Sequence, residues 1–270
     1  MVGMPGRGQL IVVASGKGGV GKTNLALNLG VRLARAGTRT ILLDADFGHA
    51  DADILLKISP RADVAGLRDP ARPVDDLLTD GPEGLRVLCG VSALKGARGI
   101  REFDPLLYVR ALRRLRAACD ILLVDSGVGV RGAAASFALL CDLLVLVTTP
   151  EPTALTDCYA TLKLLYQRGF CARAGVLVNM ARGHDEALEA VRRLQRVAAQ
   201  FLGLTLDNLG CIPCDRHVMA AVRQRVPFVT RYPRCMASAC IDAVSQRLTS
   251  PVSSRRLPLG LWGRVASLFF

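Results

Sequence analysis

A chain of 270 residues with 51% hydrophobic and 21% charged content is long enough to bury a core without disulfide or metal staples, and its balance excludes disorder, collagen-like repeats and coiled-coil rods. No apolar run approaches the ~18 residues that span a bilayer. The formal charge of +12, with all but five of the 35 bases arginine, favours anionic partners: nucleic acid, acidic lipid headgroups or acidic proteins.

Residues 10–14 are apolar but short, and Ser15 and Lys17 follow directly, which is the wrong setting for a signal peptide. The expected location is the cytoplasm. There the nine cysteines, an odd number, are expected as thiols rather than as a disulfide framework. Residues 10–14, 40–43, 86–89, 121–124, 143–148, 174–178 and 209–212 read as strands, in continuous Leu/Ile/Val runs suited to parallel strands covered on both faces. Helical periodicity occupies 23–36, 105–118, 153–167, 185–201 and 233–248. The alternation predicts one α/β domain over 1–248: a doubly wound, mostly parallel sheet with helices on both faces. The Pro-, Asp-, Arg- and Gly-rich stretch 59–82 reads as a long surface excursion with a short helix near 74–78. Residues 249–256 read as a linker, and 257–270 as a C-terminal amphipathic helix.

Directly after the first strand comes Gly16-Lys17-Gly18-Gly19-Val20-Gly21-Lys22-Thr23, opening the first helix. This is the phosphate-loop pattern in its required strand–loop–helix setting. Its glycines let backbone N–H groups turn inward around phosphates, aided by the positive end of the helix. Lys22 is placed to reach the β- and γ-phosphates, and the Thr23 hydroxyl to ligate Mg²⁺. Gly16, Gly18, Gly19, Val20, Gly21, Lys22 and Thr23 therefore form the expected nucleotide cradle.

Three further strand ends carry polar residues where ligands bind in open α/β sheets. They are Asp44-Ala45-Asp46, Asp125-Ser126-Gly127-Val128-Gly129 and Val178-Asn179-Met180. A carboxylate such as Asp125 beside a phosphate loop suits Mg²⁺, often through water, and nearby glycines let the backbone sense a γ-phosphate.

With its second lysine, Lys17, the octet resembles the deviant Walker A motif of the MinD/ParA superfamily, P-loop NTPases of the SIMIBI class. The resemblance implies that Lys17 reaches across an ATP-bound homodimer to the partner's phosphates, a charge clamp akin to an arginine finger. It further implies that Asp46 positions the attacking water, that Asp44 supports the Mg²⁺ shell, and that Asp125 and Gly129 form switch II. Asn179 occupies the position that reads adenine in related proteins, since a carboxamide pairs both a donor and an acceptor. Asp51 stands where the superfamily commonly has asparagine, so His49 or an arginine is expected to pair it.

The stretch Thr148-Thr149-Pro150-Glu151-Pro152-Thr153-Ala154-Leu155-Thr156-Asp157 resembles the FlhG (FleN) branch of flagellar-number regulators. Gly210-Cys211-Ile212-Pro213-Cys214-Asp215 and Val222-Arg223-Gln224-Arg225-Val226-Pro227-Phe228 fit the same branch, which adds Pro213 to the nucleotide-binding residues. This implies a Mg²⁺-dependent, slow ATPase that dimerises on ATP, cycles at the inner face of the cell membrane and acts with the GTPase FlhF. Members of the branch usually carry an N-terminal glutamine-bearing extension that stimulates that GTPase. Here Gln9 abuts the first strand, which speaks against activation in that manner.

In the tail, Leu261, Trp262, Val265, Leu268 and Phe269 share a helical face, with Arg255, Arg256 and Arg264 at its flanks. That pattern suits an interfacial helix on anionic lipid and resembles the membrane-targeting helix of MinD-like proteins. Packing of the tail on the domain is the plainer alternative. Two other functions stay open. One is a partition-type ParA ATPase gripping nonspecific DNA through arginines such as Arg192, Arg193, Arg223 and Arg225. The other is a nucleotide-gated adaptor with little turnover. Cys211, Cys214, Cys235 and Cys240 have the composition of a zinc or iron–sulfur constellation. Cys211 lies inside a predicted strand, however, so buried thiols are the expectation and the cofactors are ATP and Mg²⁺.

Overall fold

The computed structural model describes residues 8–46, 51–90, 105–129 and 133–249. In chain order β1 (Gln9–Ser15), α1 (Lys22–Arg35), β2 (Thr40–Ala45) and α2 (Ala52–Leu56) lead to β3 (Thr79–Asp80) and β4 (Arg86–Leu88). Then come α3 (Pro105–Ala117), β5 (Ile121–Val128), α4 (Ala133–Leu140), β6 (Leu143–Thr148), α5 (Pro152–Gln167), β7 (Arg173–Ala181) and α6 (His184–Leu202). The described chain closes with β8 (Leu206–Pro213), α7 (Arg216–Gln224), α8 (Phe228–Arg231) and α9 (Met236–Thr249).

The eight strands form one sheet in the order β3-β4-β2-β5-β1-β6-β7-β8. Every pairing is parallel except β3 on β4. Because successive strand residues point to opposite faces, β1 divides its side chains between two cores. Leu10, Val12 and Ala14 enter one with α3, α4, α5 and α6. Ile11 and Val13 enter the other with α1, α2, α8 and α9. Each fully buried Leu or Ile contributes roughly 1.5–3 kcal/mol, and Leu10, Ile11 and Val12 are wholly inaccessible. This two-sided burial is why the strands read as unbroken apolar runs.

The helices obey the same logic. α6 buries Ala187, Ala190, Val191, Leu194, Ala198 and Leu202 along one stripe. Asp185 and Glu186 lie in its first turn. It stops at Gly203 in the left-handed region (φ 64), where Leu204 N–H returns to Ala198 O at 3.2 Å. α8 is anchored from outside its own turn: buried Asn28 of α1 accepts the Val229 N–H at 3.0 Å.

The sheet and its two-sided cover match expectation, and several boundaries shift. The final helix begins at Met236 rather than near 233. α2, α4, α7 and β3 were not anticipated. Residues 59–82 are not a plain surface excursion: 3₁₀ turns at Val64–Arg68 and Val74–Asp76 let Val64, Leu67, Leu77 and Leu78 enter the core. Thr249, expected to open the linker, is instead the last residue of α9, and the rest of the linker, residues 250–256, lies outside the described residues, as do the tail with its Leu261, Trp262, Val265, Leu268 and Phe269, and His49. Among the described residues, no helix is long and apolar enough to cross a membrane.

Candidate nucleotide-binding site

β1 lies between β5 and β6, and from β1 the chain runs toward β2 on one side of the sheet whereas from β6 it runs toward β7 on the other. Such a switch point is where doubly wound sheets open a crevice, and residues 16–21 stand at its mouth. Gly21 is left-handed (φ 83) at the start of α1, which has no side-chain cap and no acid in its first turn. The first N–H groups of α1 are therefore left for an anionic ligand. Gly16 is demanded by packing: a Cβ there would sit 2.2 Å from the Asp157 carbonyl on α5. At Gly19 the demand is conformational, since φ is 79 and nothing lies within 4 Å of an added Cβ.

Lys22 and Asp125 form a buried ion pair at 2.6 Å, with side-chain exposures of 6% and 2%. Burial pushes the Asp125 carboxyl up, and the Lys22 ammonium pulls it back. Asp44 lies beside Asp125 in the β2–β5 register and is equally buried. Burial first, then the Asp125 charge, raises it to about 7, against the N–H groups of Ala52 and Asp46 that it accepts at 3.2 and 3.1 Å. Those bonds make Asp44 the organiser of the loop that carries Asp46. Asp46 is half-exposed at the crevice, with Oδ1 3.2 Å from the place a Cβ on Gly127 would take.

Mg²⁺ fits this donor set. Asp125 Oδ2 is a buried carboxylate oxygen without a hydrogen-bond partner, and Thr23 adds a hydroxyl at Asp125. Hard oxygen donors at one strand end are what Mg²⁺ takes.

On the side expected to hold the base, Asn179 Nδ2 donates to Val20 O at 2.8 Å, so one of its amide protons already braces the loop. Gly21 is glycine partly for this reason: its Cβ would come within 2.4 Å of Asn179 Nδ2. Pro213 is opposite Ala181 at the end of β8, next to this edge of the loop.

Two expectations meet a different geometry within the chain. Lys17 is tied to its own chain, to Glu151 Oε2 at 2.9 Å and Thr153 Oγ1 at 3.1 Å, both from the Pro-Glu-Pro-Thr entrance of α5. Gly129 (φ 74) donates its N–H to Ser15 O at 2.9 Å rather than presenting it to the crevice. Sequence reasoning also missed the partners that hold the site together. Glu151 and Thr153 stand out only as part of a motif, and Ser126, whose hydroxyl donates to Val13 O at 2.9 Å, gave no signal. Asp51 is an exposed residue leading into α2. All nine cysteines are free thiols, and Cys214 is exposed.

The glycine-framed loop, buried Lys22–Asp125 pair and strand-end carboxylates define a P-loop nucleotide-binding ATPase. The chain belongs to the CobQ/CobB/MinD/ParA nucleotide-binding family, whose model matches residues 11–228. It is 36% identical over 245 residues to the antiactivator FleN of Pseudomonas aeruginosa, covering 90% of this chain and 86% of that protein. It is 27% identical over 258 residues to the flagellum site-determining protein YlxH of Helicobacter pylori, covering 94% and 86%. In fold it is similar to the cell division ATPase MinD of Pyrococcus furiosus, with a TM-score of 0.75, 23% identity and coverage of 89% and 98%.

Proposed function

We propose that this chain is a membrane-cycling positioning ATPase that controls the number or placement of flagella. The similarity to FleN over nine-tenths of the chain carries this reading, and YlxH supports it. It favours flagellar control over DNA partitioning.

ATP enters the crevice with its phosphates over the N–H groups of residues 16–21. Lys22 takes the β- and γ-phosphates and exchanges its bond to Asp125 for them, which frees Asp125 for the metal side together with Thr23 and Asp44. When bound there, Mg²⁺ neutralises charge on the phosphate oxygens. Asn179 and Pro213 hold the adenine. Two protomers close face to face, and each Lys17 leaves Glu151 for the partner's phosphates. Asp46 orients the attacking water and accepts its proton. Gly129 gives up Ser15 for the γ-phosphate, so that hydrolysis resets the switch.

The C-terminal face of Leu261, Trp262, Val265, Leu268 and Phe269 lies on anionic lipid in the dimer. One helix binds weakly, whereas two on one dimer gain effective concentration. FlhF is the GTPase expected to share this pathway. Deleting the gene from its host and counting flagella per cell tests the assignment. A changed number or position, restored by the wild-type gene and not by Lys22→Ala, supports it. Unchanged flagellation overturns it.

A further inference from the structure

Beyond β8 a second group of donors gathers on the far side of Pro213. Asp215 is the N-cap of α7, and its Oδ1 accepts the His217 N–H at 2.9 Å. The same oxygen lies 2.8 Å from His217 Nδ1. Asp215 Oδ2 accepts the Ala237 N–H of α9 at 3.2 Å. Cys235 stands one residue ahead of α9, its Sγ 3.3 Å from Ser238 Oγ. One ligand atom from each of Asp215, His217 and Cys235 lies within 4.8 Å of the other two.

From this we infer that Asp215, His217 and Cys235 form a zinc site that fastens the start of α7 to the start of α9. The donor set argues for the metal. One carboxylate oxygen, one imidazole nitrogen and one thiolate sulfur suit a borderline-soft, tetrahedral cation, and Mg²⁺ or Ca²⁺ does not use sulfur. Ligand bonds of about 2.0–2.3 Å put tetrahedral donors roughly 3.3–3.8 Å apart. Oδ1 and Nδ1, 2.8 Å apart, separate slightly to reach that spacing, and all three ligand atoms already lie within 4.8 Å of one another.

The surroundings fix the ligands as second shells do. Two backbone N–H groups from two different helices hold the Asp215 carboxylate. The Tyr232 ring lies against the His217 imidazole, with centroids 4.9 Å apart and planes at 52°. His217 is 38% exposed, which leaves a path for the ion and the fourth position for water. On binding, the Cys235 thiol loses its proton to solvent, and His217 carries its own proton on Nε2 so that Nδ1 offers its lone pair. The sequence suggested a different set, with Cys211 and Cys214. Cys214 is exposed and lies outside this group.

The test uses the full chain, reduced, stripped with a chelator and held in excess Mg²⁺ so that hard-oxygen sites are filled. Co²⁺ is the probe, followed by Zn²⁺. One Co²⁺ per chain with tetrahedral visible bands and a sulfur-to-cobalt charge-transfer band is expected, bound with release of one proton and then displaced by one equivalent of Zn²⁺ with release of none. Cys235→Ser loses the charge-transfer band, His217→Ala weakens Zn²⁺ binding by more than the roughly 100-fold that loss of an outer-shell partner costs, and Cys214→Ser changes neither. Absence of a stoichiometric band, or a band that survives Cys235→Ser, overturns the site. X-ray absorption on the wild-type zinc protein gives an answer that does not depend on the variants folding. One sulfur among light donors supports the assignment, and none, or two or more, contradicts it.

Discussion

The Lys22 ammonium meets the Asp125 carboxylate at 2.6 Å where both are buried, joining the first turn of α1 to the middle of β5. One contact thus links the phosphate loop to the segment that follows Asp125. A buried pair of this kind is costly to break from one side, about 3–5 kcal/mol, because the remaining charge is left without a partner. Lys22→Met and Asp125→Asn should each lower stability in urea, and the double variant should recover part of the loss. The coupling energy expected from a double-mutant cycle is about 0.5–3 kcal/mol. Additive losses would show that the two side chains are independent. All three variants should lose ATP binding.

Asp44 gives the nucleotide-free chain a distinctive pH dependence. Its folded value of about 7 lies above the ordinary 3.8. The native state therefore holds a proton that the unfolded chain has released, and stability falls as pH rises between those values. Asp44→Asn has no such proton. Denaturation at several pH values should show wild type losing ground to Asp44→Asn from pH 4 to pH 7, and a constant difference would refute the assignment.

Gly16 and Gly19 should fail for different reasons. Gly19→Ala pays only for a left-handed backbone, about 1–2 kcal/mol. Gly16→Ala drives a methyl group into the Asp157 backbone at 2.2 Å, and that backbone cannot yield without moving α5. Thermal melts should place Gly16→Ala well below Gly19→Ala. Equal melting temperatures would mean that the loop and α5 do not touch.

The Lys17–Glu151 pair has exposures of 39% and 63%, so it is a weak latch, worth about 0.2–1 kcal/mol. Glu151→Gln should favour the ATP-bound dimer by a few-fold at most. Sedimentation with ATP in an Asp46→Ala background reads this directly. A weakened dimer would show that Glu151 itself contacts the partner. Asp46→Ala alone should keep ATP binding and lose hydrolysis by roughly 10²–10⁴-fold, the range for positioned proton transfer.

The central sheet is legible in the sequence because parallel strands buried on both faces become unbroken Leu/Ile/Val runs, and the phosphate loop because its glycines and lysine have fixed places. The helix α4 is not, since Ala-Ala-Ala-Ser-Phe-Ala-Leu-Leu is apolar all round and shows no helical stripe. Residues 59–82 hide their four buried apolar side chains among turn formers. Long-range contacts are the other gap. Lys17 and Glu151 are 134 residues apart, and Ala237 reaches Asp215 across 22 residues and the two intervening helices α7 and α8. No local pattern encodes such pairings.

The most direct measurement is cosedimentation of the Asp46→Ala protein with anionic liposomes, in ATP and in ADP, full length and ending at Ser254. The expected result is binding of the full chain with ATP, little with ADP, and none after truncation. If neither form binds lipid in either nucleotide, the membrane cycle is wrong, and nonspecific DNA becomes the anionic surface to examine next.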